Sequence, residues 1–173
     1  MELKKYSKSY FDVIEERFSC RSFTAEKIST EEIQVILKAA NLAPTACNLQ
    51  PQIIYVVENP ALLERLEEAT RFTFNAKTIF IVCHNEDESW HRRADEKDHG
   101  IIDASIVATQ MMLAATAIGI GSCFVCAFKD DKVREIIDIP SNYKINCLLP
   151  MGYPKDILPH NERKEIEDFV IYK

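Results

Sequence analysis

Three stretches of the chain place chemically useful side chains at short spacing. Arg17-Phe18-Ser19-Cys20-Arg21 carries two guanidiniums and a hydroxyl where a short helix gives way to a loop. Arginine offers a planar fork of donors, which suits a phosphate or a polarised carbonyl. The same pair also reads as a solvated surface pair. Pro44-Thr45-Ala46-Cys47-Asn48-Leu49-Gln50-Pro51 holds two side-chain amides between prolines. Asn48 and Gln50 each donate and accept, which matches the edge of a heterocycle. Ordinary turn chemistry accounts for the same residues. Cys123-x-x-Cys126 resembles a redox or metal pair. A redox pair places its first cysteine at a helix N-terminus. Here both fall in a predicted strand, Ser122 to Ala127, where positions three apart point to opposite faces. No second such pair completes a zinc site, so neither role is expected.

Other signatures are missing. His84, His91, His99 and His160 are scattered, and no serine sits in a G-x-S-x-G turn. Gly119-x-Gly121 follows a helix and opens a strand, the reverse of the dinucleotide-binding order, and lacks the third glycine. No G-x-x-x-x-G-K-[ST] loop occurs. No general base, nucleophile or metal site presents itself, so no catalytic residue and no metal ligand is assigned. An enzyme built this way would draw its chemistry from a bound organic cofactor.

The elements that must position these residues can be read from periodicity. Tyr10 to Arg17 predicts a short helix with Tyr10, Val13 and Ile14 on one face. Ser29-x-x-Glu32 is a capping box, and Ile33, Ile36, Leu37 and Ala40 continue at helical spacing until Pro44. A strand is expected at Ile53 to Val57. Asn59-Pro60 then starts a helix whose Leu62, Leu63 and Leu66 face inward. Thr78 to Cys83 is apolar on both faces, hence a central strand. His84 to Asp98 reads as a long charged loop holding the chain's single tryptophan, Trp90. A cap at Asp130 or Asp131 and a helix ending near Ile137 follow further on, then a strand at Ile145 to Met151. The closing FVIY looks strand-like.

Between Ala104 and Phe128 there is no charged residue. A helix from about Gly100 that is apolar nearly all round is either buried on all sides or spans a membrane. Thr109, Gln110 and Thr116 interrupt it and Gly119-x-Gly121 ends it, so a span is not expected. In a chain this small, burial on all sides implies that a second subunit covers part of it.

The chain's 173 residues suffice for one domain, 1–173, with its own core. A formal net charge of −6 argues against a nucleic-acid surface. There are six cysteines and the first residues form no apolar signal segment. The expectation is a cytoplasmic protein with reduced thiols and no membrane contact.

Several of these segments, taken together and in order, resemble the FMN-dependent nitroreductase family. RFSCRSF is similar to the family's R-R-S-x-R-x-F. APTACNLQPQIIYVV is similar to A-P-S-x-x-N-x-Q-P-W and the strand after it. AATAIGIGSCFVCAF is similar to A-x-x-L-G-L-G-x-C-W-x-G-A-F. MGYP and ERKEIEDFV resemble the closing G-Y-P and R-K-P-L-E-E-x-V. The resemblance implies an α+β fold with a central, mostly antiparallel sheet of four or five strands flanked by helices. It also implies a domain-swapped homodimer, with FMN at the subunit interface and the segment from about 155 extending onto the partner. By position, Arg17, Ser19 and Arg21 would hold the FMN phosphate, ribityl chain and pyrimidine edge, with Arg163 joining Arg17 at the phosphate. Pro44, Thr45, Asn48 and Gln50 would line the cofactor of the other subunit. Phe124, Val125, Cys126 and Ala127 would lie against the flavin ring. The implied activity is NAD(P)H-dependent reduction of a nitroaromatic, quinone or related acceptor by ping-pong hydride transfer. The loop with Trp90 and His91 is expected to form a wall on the acceptor side. Reductive dehalogenation, flavin cleavage and a non-catalytic flavin-binding or redox-sensing role are the alternatives. Phe18 stands for the second arginine, Phe124 for a tryptophan, Cys126 for a glycine and Gln52 for an aromatic residue. These departures bear on the substrate more than on the fold.

Overall fold

Each early helix begins where a small polar residue can satisfy its free N–H groups. A computed structural model describes residues 8–159 and 161–173, so His160 lies outside the described residues. Helix α1 (Tyr10–Glu16) starts at Ser9, which accepts from the Asp12 N–H at 3.2 Å while the Asp12 carboxylate accepts from the Ser9 N–H at 3.1 Å. Helix α2 (Thr30–Asn41) repeats the device with Ser29 and Glu32. Both are capping boxes, and such caps are worth about 1 kcal/mol. Glu32 also accepts the Tyr153 hydroxyl at 2.8 Å, which ties the start of α2 to the end of the last strand. Burial and this bond push the Tyr153 phenol up to about 12.

Strand β1 (Gln52–Val57) leads into α3 (Pro60–Ala69), capped by Asn59 with Pro60 in its first turn. Strand β2 (Thr78–Asn85) is buried along its whole length. A short hairpin of β3 (His91–Arg92) and β4 (Lys97–Asp98) precedes α4 (Gly100–Ala117). Then come β5 (Gly121–Ser122), α5 (Asp130–Ile137) and β6 (Tyr143–Gly152). The main sheet has the order β1-β2-β6-β5, with every pair antiparallel. Strand alternation sends Phe80 and Val82 toward α2 and α4, and Ile79, Ile81 and Cys83 toward α3 and α5. Three layers result, with the sheet in the middle.

One irregularity matters for the site. Val82 pairs with Cys147, but Cys83 pairs with Ile145, which leaves Asn146 out of the ladder. A bulge of this kind re-aims a side chain. Here the Asn146 side chain meets the His84 ring, its Oδ1 lying 2.9 Å from Nδ1.

The structure corrects several expectations. The predicted strand Ser122 to Ala127 shortens to Gly121–Ser122, followed by a single bridge from Val125 to Leu148. The stretch read as a plain loop contains the β3–β4 hairpin. Lys129, not an aspartate, holds the cap position of α5, and Asp130 and Asp131 lie in its first turn. Phe169 to Tyr172 form no strand; the order there is a single 3-10 turn, Ile166–Asp168. Helix α4 is long and apolar enough to cross a membrane, but it packs between α2 and the sheet. It is not buried all round within this chain, because Ile101 and Ile102 are half exposed and Ile106 is also open.

Candidate functional site

Arg17 ends α1, its N–H still bonded to Val13. The chain then turns extended and runs beside β5. Ser19 bridges Ser122 in parallel fashion, and the Cys20 N–H donates to the Ser122 carbonyl at 2.9 Å. Gly121 permits this approach, since a Cβ there would fall 2.7 Å from the Cys20 Cβ. The arginine cluster is therefore held as an extra edge on the sheet.

The chain after α3 docks against the same edge. Thr70 donates its hydroxyl to the Ala127 carbonyl at 2.7 Å, and the Lys129 N–H donates to the Ala69 carbonyl at 3.0 Å. Lys155, just past the Gly152-Tyr153-Pro154 turn, donates its N–H to the Ser22 carbonyl at 3.1 Å. These ties enclose a cavity of about 520 Å³ lined by Arg21, Arg71, Thr73, Asn75 and Lys155, with Glu67 at its wall. Three cations meet one carboxylate there, in a chain whose net charge is negative. Burial raises the neighbouring Cys123 thiol and Arg21 pulls it back down.

The segment 123–127 continues from β5 along β6. The Cys123 N–H donates to the Pro150 carbonyl, and Val125 exchanges both backbone bonds with Leu148 at 2.9 Å. Cys123 and Val125 face the α3 and α5 side, Phe124 packs on the α2 and α4 side, and Cys126 and Ala127 are exposed. The Cys126 Sγ lies 3.8 Å from the carbonyl of the bulged Asn146. Arg163 is exposed on the C-terminal segment.

The Pro44–Gln50 loop is elsewhere. Ser19 is four strand spacings from β1 across the sheet. Ser122 pairs with Met151, whereas Gln52 pairs with His84 opposite Lys144, seven residues away along β6. Strands about 4.8 Å apart that rise about 3.3 Å per residue put the two segments on the order of 30 Å apart. One small ligand cannot touch both within one chain. The structure thus keeps Arg17, Ser19 and Arg21 along one sheet edge beside Ser122, runs Cys123–Ala127 from that edge along β6 toward Asn146, and leaves Pro44, Thr45, Asn48 and Gln50 at the opposite corner.

A third feature lies under the hairpin. His84 is 2% exposed and its Nε2 lies 2.8 Å from Asp98 Oδ2. Ser89 donates its hydroxyl to Asp98, and the Gly100 N–H donates at 2.7 Å. Burial opposes ionisation of Asp98, but these bonds and His84 outweigh it and hold its carboxyl down at about 2. Trp90 packs edge-on against His99, the ring centroids 5.2 Å apart.

Sequence reasoning passed over Arg71, Thr73, Asn75 and Lys155. The available signal was modest: cations and small polar residues directly after two elements that must end beside the arginine cluster.

The three-layer α+β chain carries a cationic cradle at one sheet edge and an amide-bearing loop at the opposite corner. The comparisons make the class specific. The nitroreductase family model matches residues 14–74 and 70–153. A candidate NADH dehydrogenase/NAD(P)H nitroreductase of Archaeoglobus fulgidus is 35% identical over 149 residues, covering 81% of this chain and 82% of that protein. A nitroreductase family protein of Clostridium difficile 630 superposes with a TM-score of 0.91 at 31% identity, over 96% of this chain and 99% of that one. A candidate nitroreductase of Exiguobacterium sibiricum, solved in complex with FMN, shares the fold with a TM-score of 0.87 at 21% identity, over 96% and 98% of the two chains. This chain belongs to the nitroreductase family.

Proposed function

We propose that the chain is one subunit of a cytoplasmic homodimeric FMN-dependent oxidoreductase that uses NAD(P)H to reduce a small oxidised acceptor such as a nitroaromatic or a quinone. The observation that carries this reading is the split of the candidate ligand residues between two distant corners of one chain. A second copy supplies what each corner lacks. Its docking would also cover the open faces of Ile101, Ile102 and Ile106 on α4, and the segment from about 155, with Ile157, Phe169 and Tyr172 exposed, would extend onto it. The free thiols fit a reducing compartment.

The donor set suits FMN. Arg17 and Arg163 are offered to its phosphate, because a dianion favours two guanidiniums. Arg21 has Arg71, Asn75 and Lys155 for company at a polar, cationic cavity, which can take the heterocycle's carbonyl edge. Ser122, beside Ser19, keeps a buried hydroxyl oxygen with no partner among the described residues. Phe124 to Ala127 provide the wall for the ring, and Pro44, Thr45, Asn48 and Gln50 of the second copy would close the site. When bound, FMN would relay hydride from the nicotinamide to the acceptor. The protein's part is to bind, orient and exclude water.

The test is the absorption spectrum and solution mass of the purified protein, followed by NADH and NADPH oxidation with a nitroaromatic and a quinone. A yellow dimer that oxidises either nicotinamide with these acceptors supports the proposal. A halogenated phenol turned over far faster than either would move the chain to reductive dehalogenation. Yellow protein that oxidises no nicotinamide would make it a binding or sensing module, and colourless protein that takes up no added FMN would end the proposal.

A further inference from the structure

The loop that carries Asn48 and Gln50 is unusually dependent on one side chain. Cys47, Asn48 and Gln50 have φ of 50°, 56° and 53°, in the left-handed region that ordinary residues avoid. The bonds that shape the loop are local. Asn48 N–H donates to the Thr45 carbonyl at 3.0 Å, Gln50 N–H to the Thr45 hydroxyl at 3.0 Å, and the Gln50 side chain to the Asn48 carbonyl at 3.1 Å. The loop meets α4 through the Ala46 N–H, which donates to Asp103 Oδ1 at 3.0 Å.

Asp103 is 2% exposed, and its other oxygen, Oδ2, is buried with no partner among the described residues. One helical turn earlier, the Nε2 of His99 is buried and unpartnered in the same way. A half-satisfied buried carboxylate is costly. The first turn of α4 offsets part of that cost through the positive end of the helix. An apolar side chain would carry no such cost, so the carboxylate needs a purpose other than packing.

We propose that Asp103 is a positioning residue for cofactor binding. It clamps the Ala46 amide and so fixes the left-handed turn that presents Asn48 and Gln50 to the ligand of the second copy. It sits on the helix whose exposed Ile102 and Ile106 that copy would cover, so the loop is registered to the interface that completes the site. The inference rests on the FMN reading above, but the clamp has a readout independent of it.

The experiment compares wild type, Asp103→Ala and Asp103→Asn in two measurements: hydrogen exchange of the peptide spanning 44–51 in the flavin-free protein, and titration with FMN by fluorescence quenching. In Asp103→Asn the side-chain oxygen still accepts from Ala46. The expected result is faster exchange and at least tenfold weaker FMN binding in Asp103→Ala, with Asp103→Asn within threefold of wild type on both. Wild-type exchange and affinity in Asp103→Ala would overturn the proposal, and so would an Asp103→Asn that falls as far as the alanine variant. If Asp103→Ala yields no folded protein, Asp103→Leu fills the volume, removes only the acceptor, and decides on the same criteria. Wild type that binds no FMN would end the FMN reading and with it the cofactor role, while the exchange measurement still decides whether Asp103 clamps the loop.

Discussion

The His84–Asp98 pair gives a stability prediction that can be worked from the structure. The perturbation is Asp98→Asn. The amide keeps the size of the carboxylate and can still accept from Ser89 and Gly100, but it carries no charge to set against His84. Asp98 is held at about 2 against an ordinary 3.8, and its side chain is 23% exposed. At about 1.4 kcal/mol per pH unit, the ionised form contributes roughly 2 kcal/mol near neutrality. Because the folded value lies below the unfolded one, the contribution is fully present above about pH 4 and is lost as the pH falls toward about 2. For a chain of this size 1 kcal/mol moves Tm by about 2–4 °C, so the substitution should lower it by roughly 4–8 °C at pH 7. The assay is thermal unfolding of both proteins at one fixed protein and flavin concentration, repeated from pH 7 down to pH 3, since ligand binding and self-association each make Tm depend on concentration. The gap between the two should narrow below pH 4. A variant within 1 °C of wild type at pH 7, or a gap of constant size across the series, would refute the reasoning.

Arg17→Ala and Arg163→Ala should each weaken FMN binding by about 10- to 100-fold, the loss of a charge-assisted hydrogen bond worth roughly 1.5–3 kcal/mol; equilibrium dialysis checks this, and unchanged flavin content in both removes the phosphate assignment. Arg21→Ala and Asn48→Ala dimers should each bind flavin weakly, yet subunits exchanged between them should recover one tight site per mixed dimer, read by flavin titration; no recovery would place both residues in a single-chain site. Gly100→Ala should cost more than about 2 kcal/mol, because its Cβ would fall 2.1 Å from the His84 ring, which is fixed on both sides; a wild-type urea midpoint would contradict that contact.

What the sequence made legible, and what it did not, divides along the range of the interactions. The capping box at Ser29, the start of α3 at Asn59-Pro60 and the buried run of β2 are set by residues within a few positions of one another, and local spacing shows them. The Arg17–Arg21 and Pro44–Gln50 clusters are equally local, so they stand out as chemistry without any knowledge of the fold. Their separation was not legible from the residues themselves and entered only through the family resemblance, because it depends on strand order, and β6 enters the sheet between β2 and β5 only by long-range pairing. The cavity residues Arg71, Asn75 and Lys155 were missed for the same reason: nothing near them in sequence shows that Thr70 bonds Ala127 and that Lys155 bonds Ser22. Asp103 is the sharpest case. In sequence it is the one charge in an apolar helix, and it looks like a residue at the helix's solvated start. Only the fold shows it buried, bonded to Ala46 57 positions away, with an oxygen left over. A charge kept inside an apolar helix at that cost marks where the loop is joined to α4. Short motifs therefore locate the parts of this site, while the lone misfit residues between motifs show how the parts are held in register.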